Sequence, residues 1–194
     1  MAIDAYHLGL PLWGERAWTG SLYSEDARPG DYLEQYARVF NAVEGNSTFY
    51  SPPSPSSVDQ WREQTPESFR FCFKMPRALR AGDPGHPDVA AARHKKPNLP
   101  VEPLRTGAHG FVRLVCHPER NVNDPWFEIL ARTVSTWIDD GARPFVFVHC
   151  ADNRHAPPLA RMAHEIVARR ASVGALPSWP GSARENAAGQ LSML

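Results

Sequence analysis

Five short stretches of the chain carry strand patterning, and the segments between them repeat their apolar residues every three or four positions. The strand candidates are Tyr6–Leu12, Asn41–Phe49, Phe69–Lys74, Phe111–Cys116 and Phe145–Cys150. Asp31 can cap a helix that places Leu33, Tyr36, Ala37 and Phe40 on one face. Asp124-Pro125 predicts an N-cap followed by proline at the first helical position; Phe127, Leu130, Ala131, Val134 and Ile138 then form an apolar stripe ended by Gly141. Pro157-Pro158 opens a last helix with Leu159, Met162, Ala163, Ile166 and Val167. Strands alternating with helices predict an α/β fold with a parallel sheet. Residues 171–194 are rich in Ala, Ser, Gly and Pro without sustained period, and are expected to form a flexible tail after a single domain spanning 1–170.

The run Glu44 to Tyr50, EGNSTFY, is the most informative stretch. As a strand it puts Glu44, Asn46 and Thr48 on one face and Val43, Gly45, Ser47 and Phe49 on the other. Burying three polar side chains in an apolar core costs about 1–3 kcal/mol for each unpaired group, so this face is either solvated or lines a site. The same alternation sorts the later strands. Lys74 shares a face with Arg70 and Cys72, Arg113 with Phe111, Val115 and His117, and His149 with Phe145 and Phe147.

Composition adds exclusions. Hydrophobic residues make up 42% and charged residues 22%, ordinary for a globular domain. With 21 basic and 21 acidic residues the formal net charge is zero, so no overall field gathers nucleic acid or an anionic membrane. No apolar run approaches the ~20 residues that cross a bilayer. No charged and then apolar leader opens the chain, and three cysteines (Cys72, Cys116 and Cys150) at strand positions suit buried thiols, so the expected location is cytoplasmic.

The segments HLGLPLW (His7 to Trp13), Trp18-Thr19-Gly20 with Leu22-Tyr23, and YARVFNAVEGNSTFY (Tyr36 to Tyr50) occur in order. Pro53, Val58 and Trp61 follow, then TPESFRFCFKMPRAL (Thr65 to Leu79), KKPNLPVE (Lys95 to Glu102), FVRLVCHPERNVNDPW (Phe111 to Trp126) and PFVFVHCADNRHAPPLAR (Pro144 to Arg161). Together they resemble the YecE-like family, a bacterial domain of unknown function expected to be a TIM-type barrel. The resemblance implies an incomplete fold here. A (β/α)₈ barrel takes about 250 residues, and this chain has 194. The shortage is localised: the family runs through three further strand–helix units where this chain has only Ala81 to His94. Even one crossover takes at least about 10–12 residues. The expectation is therefore a TIM-barrel-like α/β fold of about five parallel strands with flanking helices, its middle units missing near 81–95.

If the barrel register of the family holds, Glu44, Asn46, Lys74, Arg113 and His149 converge inside, towards the C-terminal ends of the strands where TIM barrels build their sites. Glu44 and His149 would form an acid/base pair with Lys74 as a further catalytic residue; Asn46, Thr48 and Arg113 would bind substrate, Lys74 with Arg113 holding an anionic group and Arg113 serving as a bidentate fork. Asp152 and Asn153, after the last strand, resemble the family's acidic loop and would also bind substrate, although the pattern equally suits an Asx turn. A buried ion network in which Lys74 and Arg113 neutralise Glu44 stands open beside the catalytic reading. Cys116-His117 and His149-Cys150 could suggest zinc, but adjacent strand residues face opposite ways and no CxxC or HxxxH spacing occurs, so neither metal nor cofactor is expected.

Three readings follow: a truncated, catalytically impaired member of the family; a metal-independent enzyme acting on a small anionic or polar metabolite; or a small-ligand or partner-binding protein. The truncation should expose Phe69, Phe71, Phe73, Val112 and Leu114 and favour self-association through open sheet edges.

Overall fold

The five strands appear where the patterning placed them and pair in parallel. The computed structural model describes residues 3–45, 48, 51–73 and 109–181. In chain order the elements are β1 (His7–Leu10), α1 (Tyr32–Ala37), β2 (Ala42–Gly45), α2 (Pro55–Glu63), β3 (Arg70–Phe73), β4 (Phe111–Cys116), α3 (Asp124–Asp139), β5 (Phe145–Cys150) and α4 (Ala156–Ala168), with short 3₁₀ turns between them. β4 and β5 have the expected bounds; β1, β2 and β3 are shorter. Lys74 and the whole 74–108 segment, including the inferred gap near 81–95, lie outside the described residues.

The sheet order is β3-β2-β1-β5-β4. Read from the β4 edge, the strands follow one another as 4-5-1-2-3, always stepping in the same direction. Right-handed crossovers then put the connecting helices of the described residues on the same side of the sheet. A doubly wound sheet reverses direction at its middle strand and places helices on both sides; this chain does not reverse. β1 pairs with both β2 and β5, the last of the described strands, as first and last strands do at the closing seam of a barrel.

The helix-facing layer forms the core. Leu8, Leu10, Val43, Val146 and Val148 are fully buried against Leu130, Ala131 and Val134 of α3 and Leu159, Ala163 and Val167 of α4. The stripes expected for α3 and α4 are thus the faces that pack, and Gly141 ends the α3 turn with φ +78°. The expected caps differ. Asn123, not Asp124, stands at the N-cap position of α3, and its amide is spent on clamping the β4–α3 loop: Oδ1 accepts from His117 N–H at 2.8 Å and Nδ2 donates to the His117 and Glu119 carbonyls, each at 2.9 Å. Asp31 likewise turns its carboxylate back to the Arg28 N–H at 2.8 Å.

Side chains splice the seam between β1 and β2. The buried Tyr36 hydroxyl accepts from Leu10 N–H at 2.7 Å and donates to the Ala42 carbonyl at 2.9 Å. Asn41 accepts from Leu8 N–H at 2.8 Å and donates to the Tyr6 carbonyl at 2.9 Å. Gly9 is required there: a Cβ would stand 2.1 Å from the Ala42 carbonyl oxygen.

Residues 171–181 do not behave as the expected loose tail. Val173 and Trp179 are buried, Trp179 lies under the Arg161 guanidinium at 3.7 Å, and Gly181 N–H donates to the Ser21 carbonyl at 2.8 Å. Sparse apolar residues in an irregular strap carry no period, so composition alone misses them. Its polar backbone is served by the helix it crosses, with Arg161 donating to the Pro177 carbonyl and the His164 ring meeting that of Gly174.

Candidate functional site

With the helices of the described residues on one side, every second strand residue points to a face that none of those helices covers. That face carries Glu44 from β2, Cys72 from β3 in register with it, Arg113 from β4, and Phe145, Phe147 and His149 from β5. Glu44 and Arg113 meet: Arg113 Nε lies 3.1 Å from Glu44 Oε2. β1 and β5 stand between their strands. On a flat sheet, three strand spacings separate β2 from β4 by about 14 Å with side chains parallel, too far for contact. The ion pair therefore requires the sheet to curl with this face concave, as a barrel wall does.

Glu44 is 8% exposed, while the Arg113 side chain is 36% exposed. The Nε–H is not aimed along the Glu44 oxygen, so the contact is ionic rather than a directed hydrogen bond, and among the described residues Oε2 has no hydrogen-bond partner. His149 completes the cluster. Its Nδ1 is buried and also lacks a partner among the described residues. Burial, reinforced by Arg113 and opposed by Glu44, lowers its pKa below the ordinary histidine range, so the ring is neutral at neutral pH. Beside Glu44, burial and the carboxylate push the Cys72 thiol up to about 11, which keeps it protonated. The arrangement can thus present a carboxylate acceptor, a neutral imidazole and a guanidinium fork within one concavity.

The remaining expected site residues divide. Asn46 and Lys74 lie outside the described residues. The strand ends at Gly45 rather than Phe49, and Thr48 falls in the helical turn beyond it, its hydroxyl 3.4 Å from the Gly45 carbonyl; strand alternation does not place it beside Glu44. A threonine hydroxyl competes for backbone groups and favours such a turn. Asp152 and Asn153 do follow the last strand, but they are engaged locally. Asp152 caps the turn at Arg154 N–H and is gripped by the Arg154 guanidinium at 2.7 Å, which holds its carboxyl down to about 2. Asn153 donates to Glu15 Oε2 at 2.8 Å, and its carbonyl accepts from the Trp18 indole at 2.7 Å. Glu15 is the partner that sequence reasoning missed, since nothing in its local pattern marks a contact 138 residues away.

Cys116 and Cys150 pair in register on the helix-facing side, and burial, reinforced by Cys150, raises the Cys116 thiol to about 12. His117 stands beyond the strand with Nδ1 accepting from Glu119 N–H at 3.1 Å. Among the described residues no three His, Cys, Asp or Glu side chains gather as metal ligands. A cavity of about 670 Å³ lies between α2 and β3, lined by Asp59, Arg62, Glu63, Glu67, Phe69 and Phe71, on the helix side of the sheet and apart from this cluster.

The expected apolar exposure is redistributed. Phe69 is buried, and Val112 and Leu114 are half-covered by helices, whereas Phe111 and Val115 on the concave face are 55% and 65% exposed. Phe73 is exposed as foreseen, at 44%.

Comparison with known proteins places this architecture. A family model described as "Protein of unknown function DUF72" matches residues 7–81 and, as a second piece, 79–183. The UPF0759 protein YecE of Escherichia coli K12 is 45% identical over 73 residues, 38% of this chain and 24% of that protein; the same holds for YecE of strain O157:H7. The match thus spans about a quarter of the relatives' length. A crystal structure of a DUF72 family protein from Thermotoga maritima MSB8 is similar in fold, with a TM-score of 0.52 and 16% identity, covering 84% of this chain and 99% of that one. No helix among the described residues is long and apolar enough to cross a membrane.

Proposed function

Because the chain belongs to the DUF72 family, we propose that it is a truncated member whose concave-face cluster still binds a small anionic or polar metabolite but is impaired in turnover. The observation that carries this reading is the 3.1 Å approach of Arg113 to the buried Glu44 from across the concavity. A curled wall and its convergent charges persist. The truncation is supported by the family match, which falls into two pieces meeting at 79–81, between β3 and β4. Among the described residues, those are the two edge strands of the sheet. Impairment follows from the openness of this face to solvent. Charge pairs do most for a reaction when water is excluded, and here Arg113 and its neighbours Phe111 and Val115 face solvent.

A metal-independent enzyme is the second reading, favoured by the neutral imidazole of His149 beside the Glu44 carboxylate, a pair suited to proton transfer. Binding through a partner is the third, favoured by the exposed Phe111 and Val115.

Calorimetric titration of the purified chain with small mono- and dicarboxylates tests the proposal. The expected result is weak binding that falls at least about ten-fold in Arg113→Met, with no turnover. Turnover abolished by both Glu44→Ala and Lys74→Ala would establish the enzyme reading instead. Absence of binding to any anion would overturn the binding half.

A further inference from the structure

We infer that the concave-face cluster selects a small hydroxy acid, its carboxylate on Arg113 and its hydroxyl between Glu44 and His149. This rests on the reading that the cluster binds a small anion, and it names what else that anion must carry. Two buried polar atoms, Glu44 Oε2 and His149 Nδ1, have no hydrogen-bond partner among the described residues. Leaving such groups unmade is costly, and a ligand that completes them gains accordingly. Arg113 approaches Glu44 through Nε, so the paired terminal amino groups remain as the edge that matches a carboxylate.

The part of the ligand nearest Glu44 has to be a donor, because a carboxylate only accepts and repels a second anion. The part nearest His149 meets a neutral ring, whose Nδ1 either donates or accepts according to tautomer. A hydroxyl satisfies both, donating to Glu44 while accepting from, or turning towards, the imidazole. An ammonium group also donates to Glu44 but would be set beside the Arg113 guanidinium, like charge against like. Arg113 is 36% exposed on its side chain, so it has room to move from Glu44 onto the ligand. That movement uncovers Oε2 for the hydroxyl.

Malate, succinate and aspartate share one four-carbon dicarboxylate skeleton and differ only in bearing a hydroxyl, a hydrogen or an ammonium. Titrating the full chain with each at pH 7.5, followed by calorimetry and by the NMR shift of the His149 ring, separates the cases. Malate is expected to bind at least about ten-fold tighter than succinate, with aspartate no tighter than succinate. Glu44→Gln, its folding confirmed by a cooperative melt, should bring malate down to the succinate level. Equal binding of malate and succinate overturns the hydroxyl assignment and leaves the anion-binding reading standing. Tightest binding by aspartate overturns it in favour of an amino acid. Failure of all three to bind overturns both.

Discussion

At the scale of single residues, Glu44 carries the sharpest expectation. Removing one partner of a fully buried ion pair costs about 3–5 kcal/mol. Arg113 is more than a third exposed, so it can turn to water when its partner is neutralised. Glu44→Gln is therefore expected to cost only about 1–2 kcal/mol, a fall in melting temperature of roughly 2–8 °C for a chain of this size. A fall well beyond 10 °C would show that the pair is structural and sealed. His7 supplies a pH dependence. It is buried on the concave side at the start of β1, stacked on Phe145 at 4.4 Å. Burial, then Arg143, Arg70 and His109, lower its pKa to about 4. The folded state thus holds fewer protons than the unfolded state between pH 6.5 and 4. Stability is complete above about pH 6.5 and declines on acidification towards pH 4. His164, lowered by burial, acts in the same direction. Urea midpoints measured from pH 7.5 to 4.5 should fall steadily, and His7→Phe should flatten that slope. That Glu44 and Val43 point to opposite faces was legible from alternation; that Arg113 comes near Glu44 also required the barrel register implied by the family resemblance. His7 was not, because its role arises from charges on three other segments.

At the scale of elements, the seam between β1 and β2 is where substitution should matter most. Tyr36→Phe leaves the Leu10 N–H and the Ala42 carbonyl without the hydroxyl that joins them, an expected loss of about 2–4 kcal/mol in denaturant unfolding. Gly9→Ala is expected to yield no folded protein, since the added methyl would collide with the Ala42 backbone rather than with a movable side chain. Recovery of soluble Gly9→Ala with an unchanged melt would show that the two strands part more easily than this geometry allows. Strand and helix positions were legible because each buries one face. The strap at 171–181 was not. Trp179 lies in an aperiodic stretch, and its burial depends on Arg161 and Phe40, which only the fold brings near. Trp179→Ala should cost about 3–5 kcal/mol, read from the same unfolding curves.

For the whole molecule, the concave face and the edge strands of the described sheet govern behaviour in solution. Phe111 and Val115 on an edge strand give a partner both apolar area and, among the described residues, a strand paired on one side only. Sedimentation of the purified chain is expected to show association that weakens when Phe111→Ser and Val115→Thr are combined; a stable monomer at every concentration would exclude this surface. The sequence correctly implied a barrel-type arc but misjudged which apolar residues it bares. Val112 and Leu114 are half-covered by helices, and the direction of strand winding, which alternation does not encode, decides that Phe111 and Val115 are left open.

The closing seam has a temporal consequence. β1 occupies the centre of the sheet, yet one of its two neighbours, β5, is synthesised last: His7 is in register with Phe145. A nascent chain extending only through β3 holds a central strand with one edge unmatched and no α4 to cover its buried side. Pairings of such long sequence separation close slowly, after most of their entropic cost has been met. A ribosome-bound fragment ending at Phe73 should therefore remain open to protease, and protection should arise in one late step, when β5 emerges and the strand made first finds the strand made last.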